Sequence, residues 1–307
     1  MAKVIALCNQ KGGVGKTTTA INLATYLALS GKRILLIDID PQGNATSGLG
    51  VNKHDIKHSI YHVLIDDADP RSIMIGTQIS NLSLFPSNLN LTGAEVELVS
   101  VLGREHKLKK ALTGLLNDFD FILIDCPPSL GLLTINALSA ANSVLIPIQC
   151  EYYALEGLGQ LVNTVNLVKE NINPALEIEG VLLTMADYRT KLTTEVINEV
   201  KKFFSGKVYD TVIPRNIRLA EAPGFGKPIA LYDKASIAAR KYEDFTNELL
   251  GVKKESIADS SLRVAEEVEA ASEATREAIS NAENEIAEPV AGPPKADETI
   301  GLRASSQ

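Results

Sequence analysis

The sequence lacks long apolar stretches. Of its 307 residues 45% are hydrophobic, yet no uninterrupted apolar run approaches the roughly 18 residues that a membrane-spanning helix needs. It also shows no basic segment followed by a hydrophobic one near its start, which is the pattern of a secretion signal. We therefore expect a soluble protein that stays in the cytoplasm.

Cysteine is scarce as well. The chain has three cysteines, and no two of them have the C-x-x-C spacing of many metal and redox sites. Each lies in or beside an apolar, strand-like run: Cys8, Cys126 and Cys150. An odd number of cysteines in apolar surroundings favours buried free thiols over a disulfide or a metal site.

Short apolar runs alternate with longer amphipathic ones through most of the chain. The predicted strands are residues 4–8, 33–38, 82–85, 121–125, 143–147 and 179–183, and predicted helices include residues 17–24, 155–168 and 193–204. Strands that are apolar throughout are buried on both faces, which is typical of parallel sheets. The pattern predicts an α/β fold in which a mostly parallel, twisted sheet carries helices on both faces.

A glycine-rich run, KGGVGKTT at residues 11–18, separates the first predicted strand from the first predicted helix. Its glycines allow successive backbone N–H groups to point at one anion, and the helix N-terminus adds partial positive charge. We expect Lys16 to reach the β- and γ-phosphates of a nucleotide and the Thr17 hydroxyl to bind Mg²⁺. The predicted nucleotide-binding residues of this run are Gly12, Gly13, Val14, Gly15, Lys16, Thr17 and Thr18.

This run departs from the usual phosphate-loop pattern G-x-x-x-x-G-K-[ST]. Gln10 stands where the first glycine is expected, and Lys11 directly precedes the glycines instead. A lysine at this position is either a solvated surface charge or a cation that serves a phosphate outside its own loop. We favour the second interpretation.

Carboxylates end two of the predicted strands. Asp125 follows four apolar residues, as expected of a Walker B acid that orients Mg²⁺ and its waters. Asp38 and Asp40 alternate at the end of another strand, before a Pro/Gly turn. Asp40 is the candidate to orient or deprotonate an attacking water, and Asp38 to support the metal ion. The alternative for this second pair is a helix cap or an Asx turn.

Five segments together resemble the ParA/Soj family of chromosome- and plasmid-partition ATPases, which are P-loop NTPases with a deviant Walker A motif. The resemblance covers about residues 1–250. The segments are KGGVGKTT (11–18), DIDPQGNAT (38–46), DCPPSLG (125–131), QCEYYALEG (149–157) and IPRNIRLAEAP (213–223).

The resemblance implies a cycle of nucleotide binding and hydrolysis. Members of the family form a homodimer around ATP and Mg²⁺, bind double-stranded DNA nonspecifically as dimers, and hydrolyse ATP when a ParB-type centromere-binding protein stimulates them. It implies that Lys11 reaches the partner subunit's phosphates and that Lys11, Lys16 and Asp40 are catalytic. It also implies that residues 127–131 sense the γ-phosphate and that Pro214 and Arg215 contact adenine. The location expected from the resemblance is cytoplasmic and nucleoid-associated.

The charge distribution bears on the expected DNA binding. Residues 189–241 contain eleven basic and five acidic residues, although the whole chain has a net charge of −8. Such a segment is either a solvated face or a surface that neutralises DNA phosphates without reading sequence. The family resemblance favours DNA and assigns the contacts to Arg189 and Arg218. Because the sequence begins directly with its first predicted strand, we expect no N-terminal helix-turn-helix and no specific operator binding.

Composition changes near Gly251. Residues 252–307 carry twelve acidic and six basic residues and are rich in Ala and Glu. We therefore divide the chain into an ATPase domain, residues 1–251, and an acidic tail, residues 252–307, that is disordered or loosely helical. A weak coiled coil is the other possibility for the tail.

Three related functions fit the sequence less well. A MinD-like membrane-cycling ATPase needs a basic amphipathic C-terminal helix with bulky apolar residues, whereas this tail is acidic. An electron-transfer relative such as the nitrogenase iron protein needs cysteines that can bind its cluster, and Cys126 and Cys150 directly adjoin acidic residues. A related bacterial tyrosine kinase is expected to end in a tyrosine cluster, yet no tyrosine follows Tyr242.

Overall fold

Eight strands form one sheet in the computed structural model, which describes residues 1–151 and 157–252. The strands are β1 (Lys3–Leu7), β2 (Ile34–Asp38), β3 (Ile75–Gly76), β4 (Leu82–Phe85), β5 (Phe121–Asp125), β6 (Ser143–Gln149), β7 (Glu177–Ala186) and β8 (Val208–Pro214). Their order is β3-β4-β2-β5-β1-β6-β7-β8, and every neighbouring pair is parallel except β3 and β4. The predicted α/β class is confirmed.

Helices connect the strands and cover both faces of the sheet. They are α1 (Lys16–Leu29), α2 (Asn44–Gly48), α3 (Ile60–Ile65), α4 (Leu91–Glu97), α5 (Lys107–Leu112), α6 (Leu132–Ala140), α7 (Leu158–Asn171), α8 (Lys191–Phe203), α9 (Ile217–Glu221), α10 (Ile229–Tyr232) and α11 (Ile237–Leu249). Apolar residues of α1, α2, α10 and α11 pack on one face, and those of α3 to α8 pack on the other.

Alternate residues of each central strand supply the two halves of the core. In β1, Val4 and Ala6 belong to one hydrophobic cluster, whereas Ile5 and Leu7 belong to the other. Ile5 and Leu7 are fully buried, and burial of such a side chain contributes about 2 kcal/mol. Burial on both faces explains why these strands are apolar without interruption.

The fold differs from the sequence prediction in several of its elements. The two-residue strand β3 was not predicted. Strand β8 was not predicted, because its exposed Asp210 and buried Thr211 interrupt the apolar pattern at the edge of the sheet. Within the predicted helix 155–168, Gly157 has a φ of 80° and α7 starts at Leu158. Residues 155–156 lie outside the described residues, as does the predicted tail apart from Val252.

The sheet brings the ends of three strands together. Asp125 at the end of β5 is in register with Leu7 of β1 on one side and with Asp38 of β2 on the other. Because all three strands are parallel, the glycine-rich run after Leu7 and both carboxylates lie at the same edge. Ligands of open parallel sheets bind at this edge.

Candidate functional site

The glycine-rich run forms an open loop between β1 and α1. Gly13 and Gly15 have φ values of 73° and 87°, a backbone conformation that side chains disfavour. A Cβ atom placed on Gly12 or Gly13 would meet no atom within 4 Å. Gly15 directly precedes the fourteen-residue helix α1, so the loop presents backbone N–H groups and a helix N-terminus to an open space, as an anion site requires.

Polar contacts tie this loop to two further strands. The Thr184 hydroxyl in β7 donates to the Val14 carbonyl at 2.8 Å. The Asn9 amide donates to the Pro147 carbonyl in β6 at 2.7 Å, and its oxygen accepts from the Lys11 N–H at 3.0 Å. Asn9 and Thr184 were not predicted as site residues, although a threonine directly after the apolar run 180–183 was a usable signal.

Lys16 is the first residue of α1 and is 7% exposed. Its ammonium donates to the Lys11 carbonyl at 3.2 Å, across the loop. Burial lowers the pKa of Lys16, and the nearby Asp125 charge opposes that shift. A phosphate on the loop would supply the negative charge that this buried cation needs.

Asp125 is fully buried, and within the described residues neither of its carboxylate oxygens receives a hydrogen bond of normal geometry. Burial and the Asp38 charge raise its pKa well above the usual value, although the nearby Thr17 hydroxyl and Lys16 act in the opposite direction. An unpaired carboxylate beside a hydroxyl fits Mg²⁺, which prefers oxygen ligands and keeps several waters. The described residues contain no cluster of three or more His, Cys, Asp or Glu suited to a metal, and a Mg²⁺ site of this kind needs none.

The buried charge predicts an unusual pH dependence of stability. We expect Asp125→Asn to raise the free energy of unfolding of the nucleotide-free, metal-free protein by about 2 kcal/mol at pH 8. Because the folded-state pKa of Asp125 is raised, its ionisation costs stability above the ordinary pKa, and the cost grows as pH rises. The difference between variant and wild type should therefore shrink towards pH 4, as measured by urea denaturation.

Asp120 is a control, because its pKa is shifted in the direction opposite to that of Asp125. Hydrogen bonds from Arg33 lower the pKa of Asp120 to about 2, so its carboxylate stabilises the fold above the ordinary pKa of 3.8. Asp120→Asn should therefore destabilise the protein at neutral pH, and this effect should fade as pH falls towards 2. A stability difference between Asp125→Asn and the wild type that did not change with pH would contradict the raised pKa of the buried Asp125.

Asp38 is held by three hydrogen bonds. One oxygen accepts from the Thr46 N–H at 2.8 Å and from the Thr46 hydroxyl at 2.7 Å, and the other accepts from the Asp40 N–H at 3.2 Å. Burial raises the pKa of Asp38 to about 6. These contacts match the Asx-turn alternative, so Asp38 shapes the loop that carries Asp40.

Asp40 lies on that loop, at the same edge of the sheet as the phosphate loop. It is 8% exposed, and one of its carboxylate oxygens accepts from the Gln42 N–H at 2.9 Å. Its charge acts on the pKa values of both Lys16 and Asp125. A carboxylate in this position is placed to act on a group bound between the loop and the strand ends.

A cavity of about 400 Å³ lies between the start of α1 and the end of β8. Gly15 and Thr18 line one side, and Pro214 and Arg215 line the other. The structure thus places the two residues that the family resemblance links to adenine directly beside the phosphate loop. Tyr242, which sequence reasoning did not single out, also lines the cavity and bonds through its hydroxyl to Thr19 at 3.2 Å.

Glu151 connects this cavity with the lysine that precedes the glycines. The Arg215 guanidinium donates to one Glu151 oxygen at 3.0 Å. The Lys11 ammonium lies 3.9 Å from the other oxygen, and the Lys11 side chain is one-third exposed. Glu151 was part of a recognised segment but was not assigned a role from the sequence, because its two partners are remote along the chain.

The two predicted DNA-binding arginines lie just beyond the same edge of the sheet. Ala186 at the end of β7 is in register with Pro214 at the end of β8, and Arg189 and Arg218 follow these positions. Arg189 is 86% exposed and pairs with Asp187 at 2.5 Å, and Arg218 pairs with Glu221 at 3.0 Å. Ten of the eleven basic residues in 189–241 are exposed.

The three cysteines are buried and free, as predicted. Cys8 and Cys126 follow the register pair Leu7 and Asp125, and their sulfur atoms are 3.2 Å apart. Burial raises the pKa of the Cys126 thiol far above its ordinary value. Both residues therefore act as core side chains beneath the phosphate loop.

Comparison with known proteins agrees with this geometry. A family model described as an AAA domain matches residues 2–178. The sporulation initiation inhibitor protein Soj of Bacillus subtilis is 60% identical over 249 residues, which cover 81% of this chain and 98% of that protein. The chromosome partitioning protein ParA of Myxococcus xanthus is 52% identical over 250 residues, which cover 81% of this chain and 88% of that protein.

A solved structure shows the same fold with a nucleotide. It is named cobyrinic acid a,c-diamide synthase, from Mycobacterium smegmatis, and contains an ATP analogue and magnesium. The TM-score is 0.72 at 38% identity, with 81% of this chain and 95% of that chain covered. The phosphate loop and the strand-end carboxylates agree with the similarity to these relatives. The chain belongs to the ParA/Soj family of chromosome-partitioning ATPases.

Proposed function

We propose that this partition ATPase binds ATP and Mg²⁺, dimerises around them, binds DNA nonspecifically as a dimer, and is released from DNA by hydrolysis that a ParB-type protein stimulates. The observation that carries the proposal is a buried Lys16 and a buried Asp125 beside an open glycine loop, where the Asp125 oxygens accept no hydrogen bond from the described residues. Burial of each of these charges lowers the stability of the fold unless a phosphate and a cation occupy the site.

Each part of the site has a role in this proposal. The loop N–H groups and Lys16 hold the phosphates, and the cavity beside Pro214 and Arg215 holds the base. Thr17 and Asp125 would hold Mg²⁺, which neutralises charge on the phosphates. Asp40 orients or deprotonates the attacking water.

Lys11 supplies the link between dimerisation and hydrolysis. Its ion pair with Glu151 is long, at 3.9 Å, and both side chains are partly exposed, so the pair is worth at most about 1 kcal/mol. Lys11 can therefore exchange Glu151 for a phosphate of a partner subunit. Charge supplied in this way stabilises the transition state only when two subunits meet, as an arginine finger does.

The basic segment 189–241 supports DNA over a membrane as the surface to which the dimer attaches. Its exposed lysines and arginines can neutralise phosphates although the whole chain is acidic. In the described part of the chain no helix is both long and apolar enough to cross a membrane. The MinD-like alternative depends on the tail, which lies outside the described residues, and the tail is acidic in sequence.

Replacement of the two predicted DNA contacts tests this proposal. We expect the double variant Arg189→Ala and Arg218→Ala to bind DNA more weakly in the presence of ATP. The slope of log affinity against log salt should fall by about two per protomer, since each phosphate contact contributes about one. Fluorescence anisotropy with duplexes of unrelated sequence, at several salt concentrations, measures both quantities.

A matched control removes two other paired arginines. Arg33 and Arg71 pair with Asp120 and Asp118 near the start of β5, at the opposite edge of the sheet. Their double alanine variant should leave the salt slope unchanged. If the two double variants had equal salt slopes, Arg189 and Arg218 would not be DNA contacts. DNA binding by the wild type without ATP would contradict the proposed cycle.

A further inference from the structure

Ser87, two residues after the end of β4, contacts the loop that carries Asp40. The Ser87 side chain is fully buried. Its hydroxyl donates to the Asp40 carbonyl at 2.7 Å, and its N–H donates to the Thr46 hydroxyl oxygen at 2.9 Å. Ser87 thus bonds to both ends of the loop, at Asp40 and at Thr46.

These bonds close a network around Asp40. The Thr46 hydroxyl that accepts from Ser87 donates in turn to Asp38 at 2.7 Å. Asp38 accepts from the Asp40 N–H at 3.2 Å. The Asp40 main chain is therefore held on its N–H side by Asp38 and on its carbonyl side by Ser87, among side chains that are all at least nine-tenths buried.

Close packing leaves the loop little room beside Ser87. The Gly43 N–H also donates to the Asp40 carbonyl, at 2.9 Å. A Cβ atom on Gly43 would lie 2.9 Å from the Ser87 carbonyl oxygen, and its φ is 61°. The turn from Asp40 to Gly43 thus packs directly against the Ser87 backbone.

We propose that Ser87 is a positioning residue for hydrolysis, which it promotes by fixing the Asp40 main chain and so the direction of the Asp40 carboxylate. A group that orients or deprotonates water must lie within about 3 Å of it, and a small displacement lowers the rate of the reaction. The proposal rests on the proposed function, in which Asp40 acts on the attacking water. It requires no contact between Ser87 and the nucleotide.

Ser87→Ala tests the proposal, since alanine removes the hydroxyl but keeps the N–H that bonds to Thr46. We expect kcat for ATP hydrolysis by the full-length chain to fall about tenfold. KM for ATP and the affinity for a fluorescent ATP analogue should stay within twofold of the wild type, because the phosphate loop is untouched. A merely structural role would not separate kcat from binding in this way.

Ser139→Ala is the matched control. Ser139 is also a fully buried serine with one side-chain bond, to His106 at 2.9 Å, and it lies in α6. Its alanine variant should lose similar thermal stability but keep the wild-type kcat.

Three results would overturn the proposal: a wild-type kcat in Ser87→Ala, an equal loss of nucleotide affinity in that variant, or an equal loss of kcat in Ser139→Ala. Failure of the proposed function is distinguishable from these results. It would appear as a wild-type chain that does not hydrolyse ATP at all.

Discussion

Lys16→Ala should reduce the affinity for ATP at least about 100-fold, because it removes the buried ammonium that we propose binds the phosphates. The nucleotide-free protein should stay folded, since in the described part of the chain the Lys16 ammonium donates to the Lys11 carbonyl of its own loop. Titration with a fluorescent ATP analogue, alongside a thermal melt of the free protein, measures both effects.

Lys11→Ala is the control for this experiment. Lys11 donates its backbone N–H within the loop but pairs its ammonium with Glu151, so a single protomer of this variant should bind ATP within a few-fold of the wild type. Near-equal affinities of Lys16→Ala and the wild type would contradict the assignment of the phosphate loop.

Asp40→Ala should slow ATP hydrolysis at least about 100-fold and accumulate an ATP-bound dimer. The substitution leaves the main-chain bonds of residue 40 to Asp38 and Ser87 in place, so the loop should keep its shape. Size-exclusion chromatography with light scattering, with and without ATP, measures the dimer, and phosphate release measures the hydrolysis.

The lysine that precedes the glycines distinguishes the proposed dimer around ATP from other dimers. Addition of Lys11→Ala to Asp40→Ala should return the ATP-bound protein to a monomer, because it removes the cation that we propose Lys11 supplies to the partner subunit. A dimer that persists in this double variant, or Asp40→Ala that stays monomeric with ATP, would reject the proposed coupling.

The parts of the site that local sequence determines were predictable. A glycine-rich run between an apolar strand and a helix is a contiguous pattern, and it placed Gly13, Gly15 and Lys16 where the structure has them. Asp125 was predictable for the same reason, as a charge that ends an apolar run. The central strands were found because burial on both faces leaves an uninterrupted apolar signal.

The parts that depend on tertiary contacts were not predictable. Ser87 lies 47 residues from Asp40 and 41 from Thr46 along the chain, so no local pattern joins them. Glu151 meets Arg215 across 64 residues. Strand β8 at the sheet edge has the polar residues Asp210 and Thr211 in its middle and thus lacks the uninterrupted apolar signal of the central strands.

Asp38 shows how sequence can leave two interpretations open. Its place at a strand end fits a metal-supporting carboxylate and an Asx turn equally well. The structure shows the hydrogen bonds of the turn, from the Asp40 and Thr46 N–H groups to Asp38, and the support of a metal ion by Asp38 stays a prediction. Among the described residues, the Asp125 oxygens accept no hydrogen bond.

The anchoring of the phosphate loop by Asn9 and Thr184 affects how quickly a nucleotide can be captured. Since the Asn9 side chain bonds to the backbone of β6 and the Thr184 side chain of β7 bonds to Val14, the conformational entropy of the loop is lost when the chain folds rather than when a ligand arrives. Association should then be governed by diffusion into the open edge of the sheet, with no slow rearrangement of the glycines.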